Sequence, residues 1–219
     1  MVGNVLPVKA IPRPDLGGDL LCRHGCREKE TLGHILGKCH RGELIRNNRH
    51  HAVRRLIADA MTKKGWKVLQ EVECTGTSGE LEESNADFIT DQNHFSGSSI
   101  VSSRRVDIIA YNLQTKVGFI LDPTVRMEQD INQAENVHLE KKAIYDPCIS
   151  YFKKKLGLSE IKVIGLYIGA RGTITKFFLD FMKEQEIPPT LLIEDIVTTV
   201  LKKSAQICTH HLFSCVPSS

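Results

Sequence analysis

Two short apolar runs, each carrying one aspartate and joined by a polar turn, constrain the fold of this chain more than any other feature. The first, RRVDIIAY from Arg104 to Tyr111, holds Asp107 among apolar neighbours; the second, Val117 to Leu121, ends on Asp122. Asn112 to Lys116 form the turn, and fourteen residues lie between the two aspartates. A hairpin of two strands brings such carboxylates within reach of one cation. After Asp122 the pattern changes from strand-like to helical. Met127, Ile131, Ala134, His138, Lys141 and Tyr145 recur at spacings of three and four, so they share one helix face, which turns Lys141 towards the sheet. Lys142 lies roughly 100° further round and faces water. Two acidic groups and a lysine are what metal-assisted phosphodiester hydrolysis requires: charge to hold a divalent ion and an ammonium to steady the phosphate. Acids at strand ends and lysines on helices are also commonly just solvated, and spacing alone does not choose between the two readings.

With 219 residues, 41% of them hydrophobic, the chain holds one ordinary domain and a small appendage. The net charge of +3 is too small to argue for nucleic acid, but its distribution is uneven. Arg41 to Arg55 reads RGELIRNNRHHAVRR, with five arginines and two histidines against one glutamate. Such a patch suits phosphates, and a solvated helix face looks similar. Arg46, His50, Arg54 and Arg55 are its candidate nucleic-acid contacts. No apolar run approaches the length of a membrane span, and the first twenty residues show no signal peptide. Seven cysteines, an odd number without an export signal, argue against a disulfide framework and for a reducing compartment.

Residues 1–20, with Pro7, Pro12, Pro14, Gly17 and Gly18, read as a linker. Next, over residues 21–42, Cys22, Cys26, His34 and Cys39 follow a Cys-x3-Cys-x7-His-x4-Cys spacing. Three thiolates and one imidazole make a closed tetrahedral zinc shell of the structural kind; His24 and His40 are alternative ligands. Because these ligands are local, loss of zinc is expected to unfold only residues near 22–39 and to spare the rest. From Asn47 to Lys64 the positions Val53, Leu56, Ile57, Ala60 and Met61 trace a helical stripe, capped at Asn47 or Asn48 and ended by Gly65. Arg49 sits at its inward edge, whereas Arg54 and Arg55 face outward. Trp66 to Cys74 alternates as a strand. Thr75 to Ser103, with Asp87 and His94, reads as a long loop holding one short ordered piece, Ala86 to Thr90. A helix over Pro147 to Leu156, a buried strand over Glu160 to Ile168 and helices over Thr173 to Gln185 and Leu191 to Lys203 complete the pattern. Residues 205–219, with Cys208, His210, His211 and Cys215, offer a conceivable second metal site but read better as a frayed tail. Helix, three strands, helix, strand, helix is an α/β order with a mixed central sheet.

In combination these residues resemble the C-terminal region of site-specific non-LTR retrotransposon polyproteins of the ribosomal-DNA-inserting type, over roughly Leu21 to Ser204. In that family a CCHC zinc knuckle precedes a restriction-like endonuclease of the PD-(D/E)xK superfamily. The knuckle spacing matches Cys22, Cys26, His34 and Cys39. The family's Arg-His-Asn motif falls on Arg49, His50 and His51, departing at the third position. Its Pro-Asp falls on Val106 and Asp107, so the proline is missing; its second acid falls on Asp122, its helical lysine on Lys141 and a following tyrosine on Tyr145. The resemblance implies a restriction-endonuclease-like sheet flanked by helices over residues 43–204. It also implies structural Zn²⁺ and catalytic Mg²⁺ on Asp107 and Asp122. Lys141 and Arg49 then act as catalytic partners in nicking target DNA inside the nucleus. The nick would prime reverse transcription of an element RNA by a polymerase region upstream or elsewhere. A zinc-dependent nucleic-acid-binding remnant with an inactive nuclease fold is the rival, favoured by the missing proline.

Overall fold

The computed structural model describes residues 8–10, 20–74 and 104–214. Strands β1 (Lys67–Cys74), β2 (Arg104–Asn112), β3 (Val117–Arg126) and β4 (Glu160–Gly169) form one sheet in the order β1-β2-β3-β4. The first two pairings are antiparallel and β3–β4 is parallel, so the sheet is mixed, as the sequence pattern implies. A parallel pair needs a crossover. It is built from α3 (Gln133–Tyr145), a 3-10 turn at Asp146–Cys148 and α4 (Ile149–Leu156). This side of the sheet is cored by Ile109, Ile120, Tyr145, Phe152 and Val163. On the other side α2 (Glu43–Lys63), α5 (Lys176–Glu184) and α6 (Pro189–Phe213) supply Ile57, Met61, Phe178, Ile196 and Val200 against Ile108, Leu121 and Leu166. Local chemistry sets the ends: the Thr175 hydroxyl accepts from Phe178 N at 3.3 Å, and Pro189 opens α6 where a missing N–H costs nothing.

A third, smaller core lies at one end of the sheet. Helix α1 (Leu32–Gly37) buries Ile35 and Leu36 against Ala170, Ile207 and Cys208, with Val8 beside them. The cysteine-rich segment is therefore not a separate appendage; it shares apolar packing with the end of β4 and the last turns of α6. That shared packing runs against the expectation that losing the segment spares the rest, and a melt on zinc release decides between them.

Other boundaries differ for physical reasons. Gly42, not Asn47, precedes α2, which begins at Glu43. Strand β3 runs on to Arg126, and α3 starts only at Gln133, so Met127 and Ile131 lie outside the helix and Ile131 is 96% exposed. In the loop between, the Asp130 carboxylate accepts from Asn132 N at 2.8 Å. Residues 205–213 are not frayed: α6 continues through them and buries Cys208 and His211. The long segment with Asp87, His94 and Ala86 to Thr90, most of residues 1–20, and Cys215 lie outside the described residues. Among those described, no helix is long and apolar enough to cross a membrane.

Candidate active site and zinc cluster

The hairpin brings the two aspartates to one cleft. Ile108 pairs with Leu121, and Asp107 and Asp122 occupy the next step. Alternation puts Asp122 and Thr124 on the α3 face of β3, beside Ile120. The pleat of β2 breaks at Asp107. Ile108 and Ala110 face the α2 side, whereas both Ile109 and Val106 belong to the α3 side. Opposite this break, Glu71 of β1 adopts a left-handed φ of 54°, and Gln70↔Ile108 and Val72↔Val106 pair on either side of it. A broken pleat re-aims a side chain.

Asp122 is 3% exposed and fully engaged. Thr124 Oγ1 donates to its Oδ1 at 2.9 Å, Tyr145 OH donates to Oδ2 at 3.0 Å, and Lys141 Nζ lies 3.1 Å from Oδ2. Burial, with the adjacent Asp122 charge, pushes the Tyr145 phenol far above its ordinary value, so it remains a donor. Lys142 is exposed. Asp107 is held differently: His50 Nε2 sits 3.3 Å from Oδ1 and 3.2 Å from Oδ2. That hydrogen bond raises the imidazole pKa against the opposing effect of burial. His50 thus pairs with a carboxylate while its partly exposed side chain lines the cleft. A cleft of about 880 Å³ opens over both aspartates and Lys141, with Arg46 and Asn47 of α2 on one side. Gly33, Gly37 and Lys38, from the cysteine-rich segment, form part of its wall.

Of two arginines on α2, Arg49 faces inward as the sequence implies and Arg54 does not face outward. Arg49 is inward, but 2% exposed, with Nη1 donating to Ser204 Oγ at 2.9 Å and Nη2 to the Leu36 carbonyl at 3.1 Å. Ser204 Oγ passes the chain on to the Ala170 carbonyl at 2.7 Å. Burial lowers the Arg49 pKa to about 10, helped by nearby Arg46. The terminal nitrogens of Arg49 join α2, α1 and α6 instead of meeting either aspartate. Arg54 is buried, not outward: it binds Gln70 and forms an ion pair with Glu71. Arg55 is exposed. Sequence reasoning missed Thr124 and the His50–Asp107 pair. The first was signalled by a hydroxyl two residues after Asp122, on the same strand face.

The cysteine-rich segment is shaped for a tetrahedral ion. Cys22 Sγ and Cys39 Sγ are 3.9 Å apart, and Cys26 Sγ and Cys39 Sγ 3.7 Å. Zinc–sulfur bonds of about 2.3 Å at tetrahedral angles give separations of about 3.8 Å, far longer than a disulfide. His34 Nε2 is buried without a hydrogen-bond partner, while Nδ1 is held by the Glu28 carboxylate at 3.2 Å, a contact that orients a metal-binding imidazole. Cys22, Cys26, His34 and Cys39 converge as one donor group, so this cluster can hold zinc. Of the alternatives, His40 Nδ1 contacts Cys26 Sγ at 3.1 Å and His24 Nε2 donates to the His211 carbonyl at 2.7 Å. Burial pushes the Cys39 thiol up to about 12, a penalty that a bound cation reverses.

Beneath the cluster lies Glu30, 0% exposed. Burial alone raises its pKa, yet hydrogen bonds from Arg23 side chain and backbone outweigh it and hold the carboxyl at about 2. His211 Nε2 of α6 lies 3.2 Å from the same carboxylate, and Cys22, Glu30 and His211 form a second convergent group. His211 thus joins the N-terminal segment, not a separate cluster with Cys208.

Fold and site together define a mixed α/β domain with two carboxylates lining one cleft, a lysine delivered from the crossover helix, and a Cys₃His segment that forms part of the cleft wall. No protein-family model matches the chain. The chain is similar to the Retrovirus-related Pol polyprotein from type-1 retrotransposable element R2 of Popillia japonica. One match is 26% identical over 173 residues, covering 78% of this chain and 30% of that protein. A second such polyprotein from Popillia japonica is 39% identical over 79 residues, covering 36% of this chain and 11% of its own length. The R2 Pol polyprotein of Nasonia vitripennis is 43% identical over 54 residues, 25% of this chain and 5% of that protein. The chain thus spans less than a third of the curated relatives it matches.

Proposed function

We propose that this is a retrotransposon-derived protein whose cleft hydrolyses a phosphodiester bond of DNA. Lys141 Nζ at 3.1 Å from the buried Asp122 carboxylate, with Asp107 lining the same cleft, carries the reading. Similarity to R2 Pol polyproteins supports it. Asp107 and Asp122 are oxygen donors of the hard type that Mg²⁺ selects, and they would hold it. Such an ion supplies Lewis acidity at the phosphate and lowers the pKa of bound water. The protein's own groups do the rest. Lys141 places fixed positive charge where the phosphorane charge develops, in a cleft that limits water. Tyr145 and Thr124 fix the Asp122 carboxylate through two donated hydrogen bonds. His50 orients Asp107. Lys38, Arg46 and Asn47 rim the cleft and would meet the DNA backbone. Target DNA, element RNA, a reverse transcriptase using the nick, and a nuclear site of action belong to the same proposal. The Cys₃His cluster, holding zinc, would act as cleft wall.

The test is nicking of supercoiled plasmid by purified protein at fixed Mg²⁺. Asp107→Asn and Asp122→Asn keep side-chain shape but remove charge, so nicking is lost while DNA affinity stays near wild type. Lys141→Ala is crippled and Lys142→Ala is not. Equal nicking by wild type and Asp107→Asn would replace this reading with that of a zinc-dependent nucleic-acid-binding remnant.

A further inference from the structure

Lys141 reaches Asp122 from a helix, and what admits it is an absence on the neighbouring strand. In the parallel β3–β4 pair Asp122 stands beside Gly165. On the α3 side of β4, the positions two away in each direction are Val163 and Tyr167, both buried side chains. A Cβ placed on Gly165 lies 2.9 Å from His138 Cα and 3.0 Å from both Cβ and Cγ of Lys141. Carbon–carbon contacts relax at about 3.5–4.0 Å, so any side chain there forces α3 back by about 0.5–1 Å. The close approach is bonded as well as packed: Gly165 N donates to His138 Nδ1 at 3.3 Å. Each end of α3 is tethered. Tyr167 OH donates to Gln133 Oε1 at 3.1 Å at its start, and Tyr145 OH to Asp122 at its end. The middle of the helix rests on Gly165.

We infer that Gly165 is a positioning residue, whose missing Cβ sets the lysine-bearing turn of α3 against β4 and so places Lys141 on Asp122. The geometric claim stands by itself; its catalytic consequence rests on the nuclease reading. The strand position that could otherwise offer a side chain to the same carboxylate, Thr124, already donates to Asp122. Positive charge must therefore come from across the crossover, and only a residue without Cβ leaves room for the lysine stem.

The experiment compares Gly165→Ala with Gly118→Ala, whose Cβ meets Leu158 Cδ1 at 2.9 Å in the same sheet but away from the cleft. Lys141 accessibility is read by acetic anhydride labelling and mass spectrometry, with exposed Lys142 as internal reference. Gly165→Ala should raise the Lys141/Lys142 labelling ratio several-fold. It should also lower kcat for nicking by roughly a hundredfold, the scale of a misplacement near 1 Å, with DNA Kd unchanged. In a Lys141→Ala background the same substitution should cost little further activity, a non-additivity that general destabilisation does not produce. Gly118→Ala should alter neither labelling nor kcat. Wild-type labelling of Lys141 in folded Gly165→Ala overturns the inference. Altered labelling in a protein whose wild type never nicks DNA supports the positioning and defeats the nuclease reading instead. Should Gly165→Ala fail to fold, the labelling ratio of the wild type decides, because a lysine stem seated against Gly165 is shielded: Lys141 several-fold less labelled than Lys142 supports the inference, and equal labelling of the two overturns it.

Discussion

Stripping the zinc that the Cys₃His cluster can hold tests how far the N-terminal segment and the main domain are one structure. Without an ion, three thiols and His34 no longer hold α1, and Ile35 and Leu36, both essentially unexposed, lose their fixed place against Ile207 and Ala170. Each such side chain is worth about 1.5–3 kcal/mol on burial. Arg49 also loses the Leu36 carbonyl, and a buried donor left unmet costs about 1–3 kcal/mol. Together this is about 4–9 kcal/mol against a whole-domain stability of about 5–15 kcal/mol. For a domain of this size that corresponds to a fall in Tm of about 10–30 °C. The assay titrates a chelator, follows zinc release directly, and records thermal melts by circular dichroism. Hydrogen exchange then compares residues 204–213 of α6 with 176–184 of α5. The α6 residues, which share the small core and carry Ser204 and His211, should lose protection first. Complete zinc release with an unchanged melt and unchanged α6 protection would refute the coupling and restore the picture of an autonomous knuckle.

Arg54→Ala should destabilise the fold by about 1–2 kcal/mol, through lost hydrogen bonds to Glu71 and Gln70, and leave the salt dependence of DNA binding unchanged. Lys38→Ala with Arg55→Ala should lower the slope of log K against log salt by about one for each phosphate contact removed; an unchanged slope means neither side chain touches phosphate. His50 carries a pH signature. Its folded pKa is raised by Asp107 above the unfolded value of about 6.5, so its contribution is fully present below that pH and fades as pH rises through the folded value. In metal-free protein His50→Gln should therefore be less stable than wild type at pH about 5 and match it at pH about 9; a pH-independent gap counts against the pair.

The central hairpin was legible because its chemistry is local. Period-two alternation fixes the strands, and the short turn fixes which residues meet. Lys141 was legible too, since a residue four before a buried Tyr145 must share its face. What misled was apolar content without burial: Ile131 fits a helical spacing but sits in a loop, almost wholly exposed. Arg54 points inward, against its charge, because α2 is covered on more than one face. Helix α2 packs on the sheet and on α6 together, so its buried arc takes in Arg54 beside Val53, Ile57 and Met61. For α6 the signal was present but disguised. Leu192, Ile196, Val200, Ser204, Ile207, Cys208 and His211 continue one stripe, in which a serine and a histidine occupy positions that usually announce themselves by apolarity. The close approach at Gly165 leaves no mark in a hydrophobic pattern, because it depends on a residue with no side chain.

The basic stretch from Arg41 to Arg55 shows most clearly how composition and structure can assign one charge to different tasks. Read as sequence it is a phosphate-binding surface. In the fold, Arg46 donates to the Cys39 carbonyl, Arg49 to Leu36 and Ser204, His50 to Asp107, and Arg54 to Glu71. Even Arg41 reaches Ser214, at 3.4 Å. One helix thus uses its cations to fasten the Cys₃His segment, α6, β1 and β2 around a single cleft. Glu71, in its left-handed turn opposite Asp107, is gripped by Arg54 and Arg105 together, so the break that re-aims Asp107 is itself held by charge. Buried cations of this kind are costly to orphan, since removing either partner leaves a desolvated group unmet. Charge reversal along α2 should therefore disassemble the cleft before it weakens any contact with DNA. Exposed Arg55 and cleft-facing Lys38 are the positions where binding can be altered alone.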